Sequence, residues 1–247
     1  MSKRYFTLNA DFESNGFNKP VFLPSGGVVL GANHHALLEG AFQLLDEDNN
    51  IIDEVEGYIF DKDRYDNWNK STLEFHQTSH EEGIPPFMDG YTEALEEKNY
   101  FTPAQMETAV ITMLQRSLGR LESAHPKNDI QINLSARSVH FDASFIDNQM
   151  PRLSDLLSHQ LMDVTTFRLA MYKWHPTLKG IIPGQTNHNA MDDCEFIREE
   201  MNVMKEFFQG IDTERKYLVD YNADMNKDLT WKELGEAFLC KLMSYFV

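Results

Sequence analysis

Cysteine is scarce in this chain, and long apolar runs are missing from it. Only Cys194 and Cys240 occur among its 247 residues, so we expect no disulfide framework and predict a reducing, cytoplasmic compartment. No apolar run approaches the roughly 18 residues that a membrane-spanning helix needs. The segment after Met-Ser-Lys-Arg also lacks the apolar core of a signal peptide. We therefore expect no membrane partner.

Basic residues are few as well. The chain has 22 Lys and Arg against 39 Asp and Glu, which gives a formal net charge of −17. This balance argues against wrapping a long nucleic acid, because such binding needs a basic track that neutralises phosphates. A short nucleic acid held through metal ions remains compatible with it. The apolar content of 42% is enough for one large domain with a packed core.

The order of apolar and turn-forming segments predicts an α/β fold. Strands are expected at 5–13, 36–45, 51–60, 130–134 and 162–165. Helices are expected near 72–79, at 102–120, from Asp142 onward, at 166–174 and from 190 onward. Residues 17–33 are predicted to be a loop or an extended excursion, and 61–100 to be irregular apart from the short helix, with a break at Pro85-Pro86. A run of strands followed by strand–helix alternation indicates a mixed five-stranded sheet.

The helix from residue 190 has the clearest apolar periodicity. Its stripe consists of Ala190, Cys194, Ile197, Met201, Met204 and Phe208. His188 lies at the helix start and Asp193 about one and a half turns into it, so the two side chains can border one pocket. A capped helix start that faces solvent is the simpler interpretation of this pair taken alone.

Two further carboxylate positions favour a functional site. Asp11 and Glu13 lie two residues apart near the end of the first strand, so both point to one face of the sheet. They repel each other unless a cation lies between them; two solvated acids on an exposed strand are the alternative. A lone Asp142 follows the fourth strand.

These five residues, Asp11, Glu13, Asp142, His188 and Asp193, have the order and spacing of the DEDDh 3′→5′ exonuclease superfamily. More narrowly, the chain resembles oligoribonuclease. Segment 11–17 resembles that family's D-L-E-M-T-G-L, 37–41 its I-I-E-I-A, 138–145 its S-I-x-Q-D-R-x-F, and 188–193 its H-R-A-L-D-D. Met150-Pro151 and 163–166 fall in register on its M-P and D-V-S-T. Residues 72–75, with His80 beyond, are a weaker echo of its M-D-E-W.

The resemblance implies a ribonuclease H-like domain over 1–209, with insertions near 18–35 and 61–101, followed by a helical C-terminal extension over 210–247. It implies hydrolysis of short single-stranded RNA, from its 3′ end, to nucleoside 5′-monophosphates. Asp11, Glu13, Asp142 and Asp193 would hold two divalent cations, Mg²⁺ or Mn²⁺, with His188 as the general base. Substrate contacts are expected from Phe12, Ser14, Phe17 and His80. A homodimer is implied too.

Some positions depart from the family pattern. Phe17 replaces a leucine that wedges between substrate bases, although an aromatic ring can stack there. Arg137 stands where the family has asparagine, and His159 where it has a tyrosine associated with the dimer partner's site. Substrate preference and assembly therefore stay open. The alternatives are a 3′→5′ exonuclease acting on single-stranded DNA, and an inactive nucleic-acid-binding or scaffold protein on the same fold.

Segment 222–233 raises the separate question of a calcium ion. It resembles an EF-hand loop in its acids and amides and in its final Glu233. However, Lys227 replaces the glycine that the sharp turn of such a loop needs. Thr230 and Glu233 also match a capping box for a last helix, which is the simpler interpretation.

Overall fold

The computed structural model describes residues 3–78, 85–119, 129–174, 176 and 188–225. Its strands are β1 (Arg4–Ser14), β2 (Pro20–Phe22), β3 (Val28–Leu30), β4 (Leu37–Leu45), β5 (Ile51–Tyr58), β6 (Ile130–Ala136) and β7 (Met162–Asp163). Its helices are α1 (Gly31–His34), α2 (Lys70–His76), α3 (Phe87–Glu97), α4 (Pro103–Leu118), α5 (His140–Gln149), α6 (Pro151–Ser154), α7 (Val164–Trp174) and α8 (Ala190–Met225). None of the described helices is long and apolar enough to cross a membrane.

The main sheet has the order β5-β4-β1-β6-β7. Strand β4 pairs antiparallel with β1 and β5, whereas β6 runs parallel to β1 and β7. The predicted mixed five-stranded sheet is therefore confirmed. Strand β1 lies in its centre, so whatever β1 carries at its end is surrounded by other elements.

The two faces of the sheet pack against different elements, because successive side chains along a strand point to opposite faces. On β1 and β4, Leu8, Phe12, Phe42 and Leu44 point into the main apolar core, which α4 and α5 cover. Ala41 points to the opposite face and packs against the first turns of α8. Asp11 and Glu13 alternate with Phe12, which puts both carboxylates on the α8 face.

A buried asparagine joins three separate segments behind these carboxylates. The Asn9 side chain donates to the Cys194 carbonyl at 2.7 Å and accepts from the Ser135 hydroxyl at 3.1 Å. Asn9 is fully buried, and a buried amide without these partners would cost about 1–3 kcal/mol. These hydrogen bonds therefore fix the positions of β1, β6 and the start of α8 relative to one another.

Segment 17–33, predicted as a loop or an extended excursion, forms the β2–β3 hairpin and then the short helix α1, which was not predicted. Leu23 and Gly27 close the hairpin through a 2.8 Å backbone bond, and Gly26 adopts a φ of 85° that favours glycine. Gly31 allows the close return of the chain, since a Cβ there would lie 1.8 Å from the Phe17 carbonyl oxygen. The glycines of segment 17–33 therefore indicate a tight turn and a close approach of two backbone segments.

Two further boundaries differ from the prediction. The segment predicted as irregular contains α3, and Pro86 serves as the N-cap of that helix. The fifth strand ends at Asp163, because its carboxylate accepts from the Thr165 and Thr166 backbone at 3.1 and 3.4 Å and so begins α7. Helix α4 agrees with the helix predicted at 102–120, and the structure adds a capping box at Thr102 and Gln105.

The chain divides into two compact units, Met1–Glu200 and Met201–Val247. Ala190, Cys194 and Ile197 of the predicted stripe are buried, whereas Phe208 is 50% exposed. Phe208 belongs to the second unit and does not continue the buried stripe. The predicted domain boundary after residue 209 stays a prediction. Of the calcium segment, residues 222–225 are helical and the remainder lies outside the described residues.

Candidate active site

The first two carboxylates are carried by the end of β1. Glu13 lies opposite Glu39 of β4 in the antiparallel register, and the pairing shifts between Glu13 and Ser14. This irregularity ends regular pairing directly after Glu13. Asp142 reaches the same region from the first turn of α5, after a turn in which Ser138 has a φ of 55°. Asp142 is 2% exposed.

The start of α8 delivers the histidine and the last carboxylate. His188 adopts a φ of 58°, which turns the chain sharply into the helix. The Asn189 side chain then accepts from the Asp192 backbone at 3.0 Å, as an N-cap residue does. One oxygen of Glu39 accepts from the Ala190 backbone at 3.0 Å. The beginning of α8 is thus attached to β4 through a carboxylate.

Glu13, His188 and Asp193 converge on one point. Each offers one ligand atom, and these atoms all lie within 4.8 Å of one another. His188 Nδ1 lies 3.7 Å from Glu13 Oε1. Asp11 and Asp142 interact electrostatically with Glu13, so the structure brings all five predicted site residues to one region.

Burial and mutual repulsion strongly perturb these acids. Burial, then the negative charges of Glu13 and Asp193, raises the pKa of Asp11 well above its ordinary value, although Arg137 opposes the shift. Burial, followed by Glu39 and Asp193, raises the pKa of Glu13. The pKa of Asp142 is raised by burial and then by Asp11. Groups perturbed in this way often mark functional sites.

His188 is shifted in the opposite direction. Burial lowers its pKa below the ordinary 6.5, and the charge of Asp193 opposes that shift. A lowered pKa keeps the imidazole neutral at neutral pH, so that it can accept a proton. The His188 side chain is 30% exposed. It is therefore open to solvent or substrate, whereas Asp142 is not.

The donor set fits divalent cations. Carboxylate oxygens are hard ligands of the kind that Mg²⁺ and Mn²⁺ prefer. Several buried acids in one place repel one another, as the raised pKa values of Asp11, Glu13 and Asp142 show, and cations would relieve that repulsion.

The residues predicted to contact substrate occupy different environments. Phe17 is 48% exposed, with the Lys19 ammonium 5.4 Å from the centre of its ring. The Phe12 ring is buried and packs edge-on against Phe42 at 5.3 Å, which leaves only its backbone for a ligand. The Ser14 hydroxyl donates to the Gly16 carbonyl at 2.7 Å. His80 lies outside the described residues.

Sequence reasoning assigned no role to three groups at this site. Glu39 lay within a matched motif without a function, and burial raises its pKa to about 7. His76 of α2 lies 3.7 Å from Glu13, a contact without any sequence signal. Arg137 and Arg168 both donate to the buried Glu200, with Arg168 at 2.8 Å. Only the arginine at position 137, where the family has asparagine, could have indicated this ion-pair group from the sequence.

The curated relatives that the chain matches are oligoribonucleases. No protein-family model matches it. The oligoribonuclease of Neisseria meningitidis serogroup A is 24% identical over 177 residues, covering 70% of this chain and 82% of that protein. The oligoribonuclease of Arabidopsis thaliana is 31% identical over 111 residues, covering 44% of this chain and 45% of that protein. The mitochondrial oligoribonuclease of Mus musculus is 28% identical over 99 residues, 39% of this chain and 42% of that protein.

Solved structures with a similar fold include exonuclease I of E. coli. Its zinc-bound complex with single-stranded DNA has a TM-score of 0.53 at 15% identity, and the match covers 88% of this chain and 45% of that one. Its complex with a dT13 oligonucleotide has a TM-score of 0.53 at 14% identity, covering 87% and 46%. This chain thus matches about half the length of exonuclease I. The likeness establishes the ribonuclease H-like exonuclease fold.

The chain has the fold of exonuclease I, and the structure groups two acids with a histidine at the end of β1 and the start of α8. The sequence matches are more specific than the fold. The chain is similar to oligoribonucleases at 24–31% identity.

Proposed function

We propose that this chain is a metal-dependent 3′→5′ exonuclease that hydrolyses short single-stranded oligoribonucleotides to nucleoside 5′-monophosphates. The observation that supports it most is the meeting of Glu13, His188 and Asp193, whose ligand atoms lie within 4.8 Å of one another. A solvated surface cluster would not raise carboxyl pKa values by burial, as happens at Asp11 and Asp142. The similarity to oligoribonucleases supports short RNA as the substrate class of this proposal.

Asp11, Glu13, Asp142 and Asp193 would hold two cations, Mg²⁺ or Mn²⁺. When bound, such ions stabilise the charge that develops on the attacking and leaving oxygens. These carboxylates come from β1, α5 and α8, so the three elements must be held together for the site to exist. The calcium ion suggested for 222–233 has no part in this chemistry.

His188 would act as the general base. Its neutral imidazole takes a proton from water as the water oxygen attacks the phosphorus of the terminal nucleotide. The bond between that phosphorus and the 3′ oxygen of the preceding nucleotide breaks, and the leaving oxygen takes up a proton from solvent. The lowered pKa of His188 supports this role because it favours the form that accepts protons.

The substrate is expected to be short. With a net charge of −17, the chain repels each phosphate that extends beyond the site. Phe17 offers an exposed ring for base stacking, and Lys19 beside it offers a positive charge. Contacts to the last few nucleotides would therefore provide most of the binding energy. A homodimer and a cytoplasmic location stay predictions from the sequence.

Release of monophosphates from labelled oligomers tests this proposal directly. We would incubate 5′-labelled RNA and DNA of two, five, ten and twenty residues with Mn²⁺ or with EDTA, and measure kcat/KM. We expect RNA of two to five residues to be the best substrate and EDTA to abolish turnover. Asp142→Asn should be inactive, whereas Asp192→Asn, a matched change at an exposed neighbouring acid, should keep activity.

Other outcomes would favour the alternatives. Efficiency that rises with length, or a clear preference for DNA, would replace the oligoribonuclease proposal with a DNA exonuclease. An inactive wild-type chain that still binds oligomers would support a binding or scaffold protein. Mass measurement by sedimentation separates a dimer from a monomer of 28.6 kDa.

A further inference from the structure

A second histidine contacts the candidate site from the side of the predicted insertion. His76 is the last residue of α2 and directly follows 72–75, the weak match to the family's M-D-E-W within the predicted insertion 61–101. Its side chain is only 2% exposed. His76 Nε2 lies 3.0 Å from the Ser14 carbonyl oxygen and 3.7 Å from Glu13 Oε2.

The contact with Ser14 determines which nitrogen carries the proton. A carbonyl oxygen can only accept, so Nε2 must donate, and this N–H therefore points toward the end of β1. The Ser14 carbonyl lies where the β1–β4 pairing becomes irregular. His76 thus provides a partner to a backbone group at the point where the strand leaves the sheet, and a buried carbonyl needs such a partner.

Glu13 consequently lies between two imidazole rings. Its Oε1 atom faces His188 at 3.7 Å, and its Oε2 atom faces His76 at 3.7 Å. His188 is partly exposed, whereas His76 is buried. One carboxylate oxygen is therefore on the open side of the site, and the other faces the buried His76 ring. Because the His76 N–H is donated to the Ser14 carbonyl, the ring restrains the backbone next to Glu13 and leaves the Glu13 carboxylate only in van der Waals and electrostatic contact.

Aromatic rings hold the His76 imidazole in place. Phe87 of α3 lies 4.9 Å from it between ring centres, Trp68 lies 6.3 Å away edge-on, and Phe75 lies 5.5 Å away. Phe75 also contacts His188 edge-on at 4.5 Å. Two consecutive residues at the end of α2 thus touch the candidate general base and the candidate metal ligand.

We propose that His76 is a positioning residue, which fixes the end of β1, and with it the neighbouring Glu13, for metal binding through the hydrogen bond that its Nε2–H donates to the Ser14 carbonyl. This inference rests on the proposed function, because it assigns Glu13 to a bound cation. It gives the 61–101 insertion a task in the site: α2 and α3 support a side chain that fixes a ligand supplied by β1. Donors around metal ligands typically change metal affinity about 10- to 100-fold when they are lost.

Two substitutions at His76 distinguish the effect of the N–H donor from the effect of the aromatic ring. His76→Phe keeps an aromatic ring among Phe75, Trp68 and Phe87 but removes the N–H donor. His76→Gln keeps an amide N–H at a similar reach. His35→Phe is the matched control, because His35 is also buried and its Nδ1 lies 2.7 Å from the Asn67 carbonyl, with no contact to a site acid described.

The measurements are direct Mn²⁺ titration by calorimetry and steady-state kinetics on an RNA dinucleotide. For His76→Phe we expect the Mn²⁺ Kd to rise about 10- to 100-fold, with kcat falling and KM for RNA unchanged. In His76→Gln, the Mn²⁺ Kd and kcat should both lie close to the wild-type values. His35→Phe should lower the Tm and leave the Mn²⁺ Kd unchanged, since its role is structural.

The possible failures are distinguishable. A wild-type chain that binds Mn²⁺ and hydrolyses RNA, with a His76→Phe variant that matches it in both, would overturn this inference alone. So would a His76→Gln variant as defective as His76→Phe at equal Tm, because the donor would then be irrelevant. A wild-type chain that neither binds Mn²⁺ nor cleaves any oligomer would overturn the proposed function and this inference together.

Discussion

Replacing Glu200 by Gln should destabilise the first unit substantially. Glu200 is fully buried, and both Arg137 and Arg168 donate to the same carboxylate oxygen. Arg137 comes from the turn between β6 and α5, Arg168 from α7, and Glu200 from α8. This one carboxylate therefore ties together three elements around the candidate site. The substitution keeps the size of the side chain and removes its charge.

The expected cost follows from the burial of the three groups. Removing one partner of a buried ion pair typically costs about 3–5 kcal/mol. The arginine side chains are 14% and 19% exposed, and water can stabilise them in part, so we expect a value near the lower end, about 3 kcal/mol. For a chain of this size, each kcal/mol lowers Tm by roughly 2–4 °C. A fall in Tm of roughly 6–12 °C is therefore expected.

Urea unfolding followed by circular dichroism measures this cost. Glu199→Gln is the matched control, since Glu199 is exposed on the same helix, and its effect should stay within about 0.5 kcal/mol. A Glu200→Gln variant within 1 kcal/mol of wild type would refute the argument. It would mean that the desolvation of three charges cancels their attraction, and that packing alone joins the three elements.

Three more predictions concern the site itself. Glu13→Gln should abolish hydrolysis but hold or raise the metal-free Tm, because one of several repelling acids is removed; wild-type turnover would exclude the two-metal proposal. An acid whose pKa is raised by folding stabilises the fold fully at pH values below its unfolded pKa, near 4. That contribution to the free energy of unfolding is lost as the pH rises through the pKa of the folded state, which is about 7 for Glu39. The Tm in EDTA should therefore be lower at pH 8 than at pH 5, and Mn²⁺ should recover it; a flat profile would contradict the pKa directions. The acid limb of the pH–rate profile should lie below 6.5, since the pKa of His188 is lowered, and His188→Ala should lose roughly 10²–10⁴-fold in kcat with little change in Mn²⁺ affinity.

The sequence predicted the elements whose signals are local. Alternation placed Asp11 and Glu13 on one face of a strand, and the helix predicted at 102–120 corresponds to α4. The β2–β3 hairpin was missed because strands of three residues are too short to show alternation. Helix α3 was missed because Pro85-Pro86 was interpreted as a break, although Pro86 caps that helix.

In the candidate site, too, local features could be predicted from the sequence and long-range contacts could not. His188 and Asp193 could be predicted because their spacing within one helix is a local property and matches a known family. Their roles in binding and catalysis stay predictions. The contact of His76 with Glu13 joins residues 63 positions apart in the sequence and depends on aromatic packing around α2. A pattern within one segment cannot report such a contact, and only the fold reveals it.

The three-way junction at Asn9 has a consequence for the order of events during synthesis. Its partners lie 126 and 185 residues further along the chain, so the junction closes only after α8 has emerged from the ribosome. Until then, β1 carries Asp11 and Glu13 without His188 or Asp193. A growing chain therefore lacks the complete group of candidate site residues until the start of α8 has emerged from the ribosome. The proposed site is thus completed by the start of α8, and β1 alone does not form it.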